Sequence, residues 1–249
     1  MALGKKNNFN SNLDSDGKQL CKALQEMGTT FIKLGQFLAT RPDIIGENLA
    51  KDLETLQDKL PEFEKSEAAL ILKKGLDYGL LPRIHSDEFN NLGASKLGEK
   101  LNLISADHLM KIGDDDIGIM ADTETKAVLL PGTTFFLGHS NYAPNHKLKE
   151  AGVEVAIATD YNPGSCNIQS MIFIIAIATI FMKMDILDAI YSSTYIPAKL
   201  LNISDKCGSI ENGKKADIII WDIYNPIQIP YKFSTNPIKS VIKSGKFIF

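Results

Sequence analysis

The sequence predicts an α/β protein: a partial (β/α) barrel of four parallel strands, with an N-terminal helical hairpin before it and a small C-terminal β segment after it. Three observations carry that expectation. Hydrophobic periodicity is helical up to Pro61, short apolar runs alternate with helical stretches from about Glu64 onward, and ionisable residues gather where the apolar runs end. Strands alternating with helices at this spacing are the pattern of parallel βαβ units.

The chain has 249 residues, room for one large domain or two small ones. Its formal net charge of −3 creates no general field for nucleic acid, and no basic stripe carries interleaved aromatics. Cys21, Cys166 and Cys207 are scattered and odd in number, so neither a zinc spacing nor a disulfide framework can be read from them. They read as reduced thiols of a cytoplasmic protein. Residues 1–18, polar and Asn-rich, are expected as a disordered tail and lack the apolar core of a signal peptide.

Residues 19–63 are expected as the helical hairpin. Leu20, Leu24, Met27, Phe31, Leu34 and Leu38 recur three or four apart, Pro42 stops that helix, and "IIGENLAKDLETLQDKL" makes a second amphipathic helix ended by Pro61. Residues 64–204 are expected as the half barrel. A helix over "EKSEAALILKKGLDYG" closes at Gly79 and leads into a strand, "LLPRIHSDEF". The helix "GASKLGEKLN", the strand "ISADHL" and the helix "DDDIGIMADTE" come after it, the last with acidic residues at its start, where the helix dipole favours them. Next come the strand "KAVLLPGTT", the helix "NHKLKEAG" and the strand "VEVAIATD". "MIFIIAIATIFMKM" is too short for the ~20 apolar residues of a membrane span and reads as a buried helix. A last helix covers "DILDAIYSSTYIPAKLL". Within 205–249, "ADIIIWD" and "IKSVIKSGKFIF" read as strands of a separate small sheet, with "KSG" at a turn.

His85 and Glu88 follow the first strand, His108 ends the second, and Asp160 ends the fourth, just before "YNPGS". In a parallel (β/α) barrel the C-terminal strand ends form the active face. Four ionisable side chains delivered there by three different strands mark that face as a candidate functional site.

These stretches carry a resemblance. "LPRIHSDEFNNLGASKLGEKLNLISADHL", "AVLLPGTTFFLG", "VEVAIATDYNPGSCNIQSM", "KKADIIIWD" and the closing "VIKSGKFIF" resemble imidazolonepropionases, a family of metal-dependent amidohydrolases, from about Glu64 to Phe249. The resemblance implies strands 5–8 of a TIM barrel. It implies that His85 is the fifth-strand metal ligand, and that Asp160 is the eighth-strand ligand and proton acceptor. Glu88 and His108 would hold substrate and move protons, and Asn162, Gly164 and Ser165 would line the substrate pocket. The family's first strand supplies two further ligands through a His-x-His pair. The four histidines here, His85, His108, His139 and His146, form no such pair.

Residues 27–63 resemble instead the N-terminal extension of the UbiB family of atypical kinase-like proteins. The hallmark is Lys-x-Gly-Gln, here Lys33, Gly35 and Gln36, with "TRPD" close behind. The chain beyond Phe63 has no Gly-rich phosphate loop, strand lysine with acidic partner, or Asp-Phe-Gly.

Two fragments meeting near "LPEFEKSEA", each without its completing partner, predict a chimeric, recombined or designed chain. The function expected on that reading is non-catalytic: self-association or binding of a protein partner, neutralising it as an antitoxin would. No cofactor is required, Zn or Fe is held weakly at an incomplete site, and neither nucleic acid nor membrane is a partner. The alternative is hydrolysis of 4-imidazolone-5-propanoate to N-formimidoyl-L-glutamate.

Overall fold

A computed structural model describes residues 15–58, 64–162 and 164–249. Most of the expected polar tail, the first four residues of the expected seam including Pro61, and Pro163 lie outside the described residues. The chain divides into two compact units, Met1–Glu64 and Lys65–Phe249.

The first unit is a cluster of short helices: α1 (Asp16–Glu26), α2 (Thr29–Ala39), α3 (Pro42–Ile45), α4 (Glu47–Leu53) and α5 (Thr55–Asp58). Helix α1 begins at Asp16, inside the expected tail. Ser15 caps it, its hydroxyl accepting from the Lys18 amide at 3.4 Å and donating to Asp52 Oδ2 at 2.7 Å. The single long helix expected over residues 20–38 is broken at Gly28, whose φ of 95° lies in a region side-chain-bearing residues avoid. The apolar stripe therefore does not continue across the break. Leu24 is buried with Cys21, Ala39, Leu53 and Leu56, whereas Met27, Phe31 and Leu34 are exposed. Two of the three motif residues work in this packing. A Cβ on Gly35 would fall 2.3 Å from Leu56 Cδ1 and 2.9 Å from Leu24 Cδ1, so only glycine lets α2 approach this closely. Gln36 Nε2 donates to the Leu56 carbonyl at 2.9 Å, and Lys33 is exposed.

The second unit opens with α6 (Lys65–Asp77) and β1 (Arg83–Ser86). A 3₁₀ turn (Ala94–Leu97) then runs into α7 (Gly98–Leu101). Beyond it lie β2 (Ser105–His108), α8 (Asp114–Asp122), β3 (Lys126–Leu129), α9 (Pro131–Phe136), α10 (Asn145–Glu150), β4 (Val155–Ile157), α11 (Met171–Ile180) and α12 (Ile186–Leu200). The strands form one parallel sheet in the order β1-β2-β3-β4, with Arg83 opposite Ser105, Ala106 opposite Ala127 and Val128 opposite Ala156. The third strand is shorter than expected. "PGTT" starts α9, where the fixed φ of Pro131 suits the first helical turn.

Both faces of β3 and β4 are covered. Ala127, Leu129, Val155 and Ile157 pack with Met120 of α8, Leu148 of α10 and Ile174 of α11. Val128 and Ala156 join Ile196 and Leu200 of α12 in a second cluster. Two-sided burial is what a parallel sheet requires, and α12 supplies it on the second face. Helix α11 buries five consecutive residues, Ile174 to Ala178, so it is enclosed nearly all round. Among the described residues no helix is long and apolar enough to cross a membrane.

The chain ends in an antiparallel sheet of β5 (Ile218–Trp221), β6 (Ile238–Lys243) and β7 (Lys246–Phe247), with α13 (Gln228–Tyr231) between β5 and β6. Ser244 and Gly245, both at positive φ, make the β6–β7 turn, a pairing that matches the twist of a two-residue hairpin.

Candidate active site

Three of the four parallel strands run at their C-terminal ends into non-glycine residues in the left-handed region: Asp87 (φ 51°) after β1, His108 (φ 77°) and Leu109 (φ 63°) at β2, and Asp160 (φ 51°) after β4. Such conformations cost of order 1–3 kcal/mol each and collect at functional sites.

The two carboxylates of "HSDEF" have separate tasks. Asp87 is buried, and its Oδ1 accepts from the Leu92 and Gly93 amides at 2.9 and 3.2 Å while Ser86 Oγ donates to Oδ2 at 2.7 Å. It ties down the loop that presents Glu88. Glu88 Oε2 lies 3.6 Å from His108 Nε2, and His108 Nε2 lies 3.1 Å from His85 Nδ1. One potential ligand atom each from His85, Glu88 and His108 falls within 4.8 Å of the others. His108 is 3% exposed, and its Nδ1 is buried without a hydrogen-bond partner. Beneath them Arg83 Nε donates to Ser105 Oγ at 3.0 Å and Arg83 Nη2 to Asp107 Oδ2 at 2.9 Å, bracing β1 against β2.

The electrostatics drive Glu88 and His108 towards neutrality. Burial raises the Glu88 carboxyl above its ordinary value; Asp160 adds to the rise, and His85 and His139 oppose it. Burial lowers His108 below the usual imidazole range; His85 adds to the fall, against Asp160 and Asp107. A carboxyl shifted up beside an imidazole shifted down is a pair suited to proton exchange or to presenting lone pairs to a cation.

Asp160 is held separately. The Thr133 hydroxyl, fully buried in α9, donates to Asp160 Oδ2 at 2.5 Å, and Asp160 is not part of the His85–Glu88–His108 group. Asn162, Gly164 and Ser165 shape the loop after β4. Asn162 Oδ1 accepts from the Gly164 and Ser165 amides at 2.9 and 2.8 Å, and its Nδ2 donates to the Asp160 carbonyl at 2.7 Å. His139 meets Phe89 edge-on with ring centroids 6.3 Å apart, and His146 is exposed on α10. Asp87 and Thr133 escape a sequence reading. Asp87 sits among candidate carboxylates with nothing local to mark it as a loop anchor, and the Thr133 contact exists only once β3 and β4 are paired.

The group fits a metal ion. Two imidazole nitrogens on one zinc at about 2.0–2.1 Å each lie about 3.3 Å apart, close to the 3.1 Å between His85 and His108. Two histidines and a carboxylate are a donor set for borderline divalent ions. A metal-binding candidate therefore stands where no cofactor was expected to be required.

Residues 82–248 match the model of the amidohydrolase family. Imidazolonepropionase of Bacillus velezensis is 37% identical over 216 residues, 86% of this chain and 51% of that protein. The enzyme of Fusobacterium nucleatum is 39% identical over 209 residues, 84% of this chain and 50% of that protein. The chain thus spans about half the length of the curated relatives it matches. These matches are longer than the stretch from Glu64 to Phe249, so the likeness reaches into the helical segment and past the expected seam. Among solved structures, an adenosine deaminase from Xanthomonas campestris with bound zinc aligns with a TM-score of 0.62 at 21% identity, over 74% of this chain and 48% of that one. Guanine deaminase of E. coli aligns with a TM-score of 0.60 at 15% identity, over 76% of this chain and 52% of that one. At these identities the structural likeness speaks for the fold. The sequence relatives overturn the expectation of a non-catalytic chimera acting by capture of a protein partner: identity of 37–39% over most of the chain is to hydrolases.

Proposed function

Because the chain belongs to the amidohydrolase family, we propose that β1–β4 correspond to the last four strands of the family's barrel and that they serve metal-dependent opening of a cyclic amide. The substrate on this reading is 4-imidazolone-5-propanoate and the product N-formimidoyl-L-glutamate. The observation that carries it is the convergence of His85, Glu88 and His108 at the C-terminal strand ends, with Asp160 in the loop that follows β4 of the same sheet.

A divalent ion bound there would lower the pKa of a water and polarise the ring carbonyl. His85 would hold the ion. Glu88, His108 and Asp160 divide between completing the ligand set and moving protons. Hydrolysis adds the water's hydroxyl to the ring carbonyl carbon, breaks the adjacent C–N bond and delivers a proton to the departing nitrogen. Groups shifted towards neutrality, as Glu88 and His108 are, suit that transfer. The Asn162–Ser165 loop would form the pocket wall.

The test is to load the purified chain with Zn²⁺ or Fe²⁺ and follow formation of the formimidoyl product. Turnover that His85→Ala and Asp160→Ala both abolish is the expected result. Turnover indifferent to both substitutions, or none from the loaded chain, would remove the reading.

A further inference from the structure

We infer that Asp116, in the first turn of α8, is a positioning residue: it holds the loop that follows β1 against the next βα unit and so sets where Glu88 stands. What Glu88 does there rests on the metal-dependent reading above. How it is held does not.

A carboxylate is costly to bury unless it is paired and hydrogen-bonded. Asp114, Asp115 and Asp116 all sit where the dipole of α8 favours an acid, yet Asp114 and Asp115 are exposed and the Asp116 side chain is only 4% exposed. The dipole therefore does not explain why this one is inside. What it meets there is the β1 loop. Asp116 Oδ2 accepts from Asn91 Nδ2 at 3.1 Å. Its Oδ1 is buried without a hydrogen bond and has Lys96 Nζ at 3.1 Å as counter-charge. Asn91 Oδ1 accepts in turn from the Gly93 amide at 3.0 Å. A Cβ on Gly113 would fall 3.0 Å from Asn91 Nδ2, so the loop rests directly on the start of α8.

The loop thus has two anchors of different kinds. Asp87 closes it on itself through the Leu92 and Gly93 amides. Asp116 ties its outer end, at Asn91 and Lys96, to the helix after β2. Glu88 and Phe89 lie between the anchors. Glu88 Oε2 is thereby kept 3.6 Å from His108 Nε2, and the Phe89 ring 6.3 Å from that of His139. Without Asp116 the loop opens from its outer end, draws Leu92 and Gly93 off Asp87 and carries Glu88 away from β2. Misplacement by about 1 Å at a reacting group can cost ~10²-fold in rate.

Amide exchange and NOEs on the full chain test this without metal or substrate. In Asp116→Ala the Leu92 and Gly93 amides should exchange about tenfold faster or more. The NOEs between the Glu88 side chain and the His108 ring, and between the Phe89 and His139 rings, should be lost. The Ala127 and Ala158 amides, bonded to Glu154 and Leu129 across the sheet, are the reference and should not change. Asp116→Asn keeps an acceptor for Asn91 and should restore most of the protection. Circular dichroism controls for folding; if Asp116→Ala unfolds, Asn91→Ala, at an exposed residue, carries the test. Equal acceleration at all four amides would reduce Asp116 to a general contribution to stability and overturn the inference, as would NOEs that persist in both variants. Turnover is read separately. In the metal-loaded chain Asp116→Ala should lower kcat about tenfold with little change in KM, and an unchanged kcat would overturn the positioning role. No turnover from the wild type removes the hydrolase reading, and exchange and NOEs still decide how the loop is held.

Discussion

The Thr133 hydroxyl donates a 2.5 Å hydrogen bond to Asp160 Oδ2, tying the first turn of α9 to the loop that follows β4. Thr133 is fully buried, so an isosteric Thr133→Val change removes the donor without opening a cavity. A hydrogen bond to a charged group contributes about 1.5–3 kcal/mol, and Thr133→Val should cost about that in urea denaturation. Thr134 is the internal comparison. Its hydroxyl faces the Met110 sulfur, a weak acceptor, and Thr134→Val should cost less than about 1 kcal/mol. Equal losses at the two positions would show that the Asp160 bond contributes nothing special.

Two glycines separate backbone strain from steric conflict. Gly208 and Gly213 have φ of 94° and 89°, so alanine is strained at both. At Gly208 a Cβ would also meet Ala198 Cβ at 2.6 Å and the Thr194 carbonyl at 3.1 Å, whereas at Gly213 nothing lies within 4 Å. Gly213→Ala should cost about 1–2 kcal/mol from the backbone alone. Gly208→Ala should add a further ~1–3 kcal/mol of overpacking against α12. Matched thermal denaturation of the two variants checks the difference, and equal midpoints would refute it.

The parts of the fold that were legible depend on local pattern. Short apolar runs bounded by polar turns marked β1–β4 and the C-terminal strands, because burial on a sheet is written into each short segment. The break at Gly28 was not legible, since a glycine at helical spacing can equally continue a helix, and only its observed φ decides. The site was legible as chemistry: His85, Glu88, His108 and Asp160 stand at strand ends in the sequence. Their grouping was not, because it depends on His108 leaving the extended region and on Thr133 claiming Asp160. Neither signal is carried by residue type. Function was misread because the first-strand pair was weighed above the likeness of the remaining stretches.

The three cysteines should differ in reactivity. Cys21 and Cys166 are buried and Cys207 is partly exposed. Burial also raises the Cys166 thiol, with Asp160 adding to the rise and hydrogen bonds from the Ile168 backbone and Thr133 opposing it, so little thiolate forms there. Ellman's reagent at pH 8 should modify one thiol per native chain, at Cys207, and all three after denaturation. Fast modification of Cys166 in the native chain would contradict the packing around β4.

The C-terminal sheet should lose stability in acid through one carboxylate. Asp217 Oδ2 accepts from Lys243 Nζ at 2.6 Å and Oδ1 from the Ser244 amide at 2.8 Å, joining the start of β5 to the β6–β7 turn. The Lys243 hydrogen bond, then that from Ser244, holds the Asp217 carboxyl below its ordinary value of 3.8. A group whose folded pKa is depressed binds its proton less readily in the folded state. Its contribution is therefore present above the unfolded value and is lost as pH falls below 3.8 through the lowered folded value. The pair is exposed, so the effect is modest and shrinks with salt. Amide exchange at Val241 and Ile248, which bond each other's strands, reads it locally. Between pH 6 and pH 4, Asp217→Asn should exchange faster than the wild type at these amides, and below about pH 3 the two should converge as the wild-type carboxyl protonates. A constant offset between the two proteins down to pH 2 would mean that the carboxylate does not govern the turn.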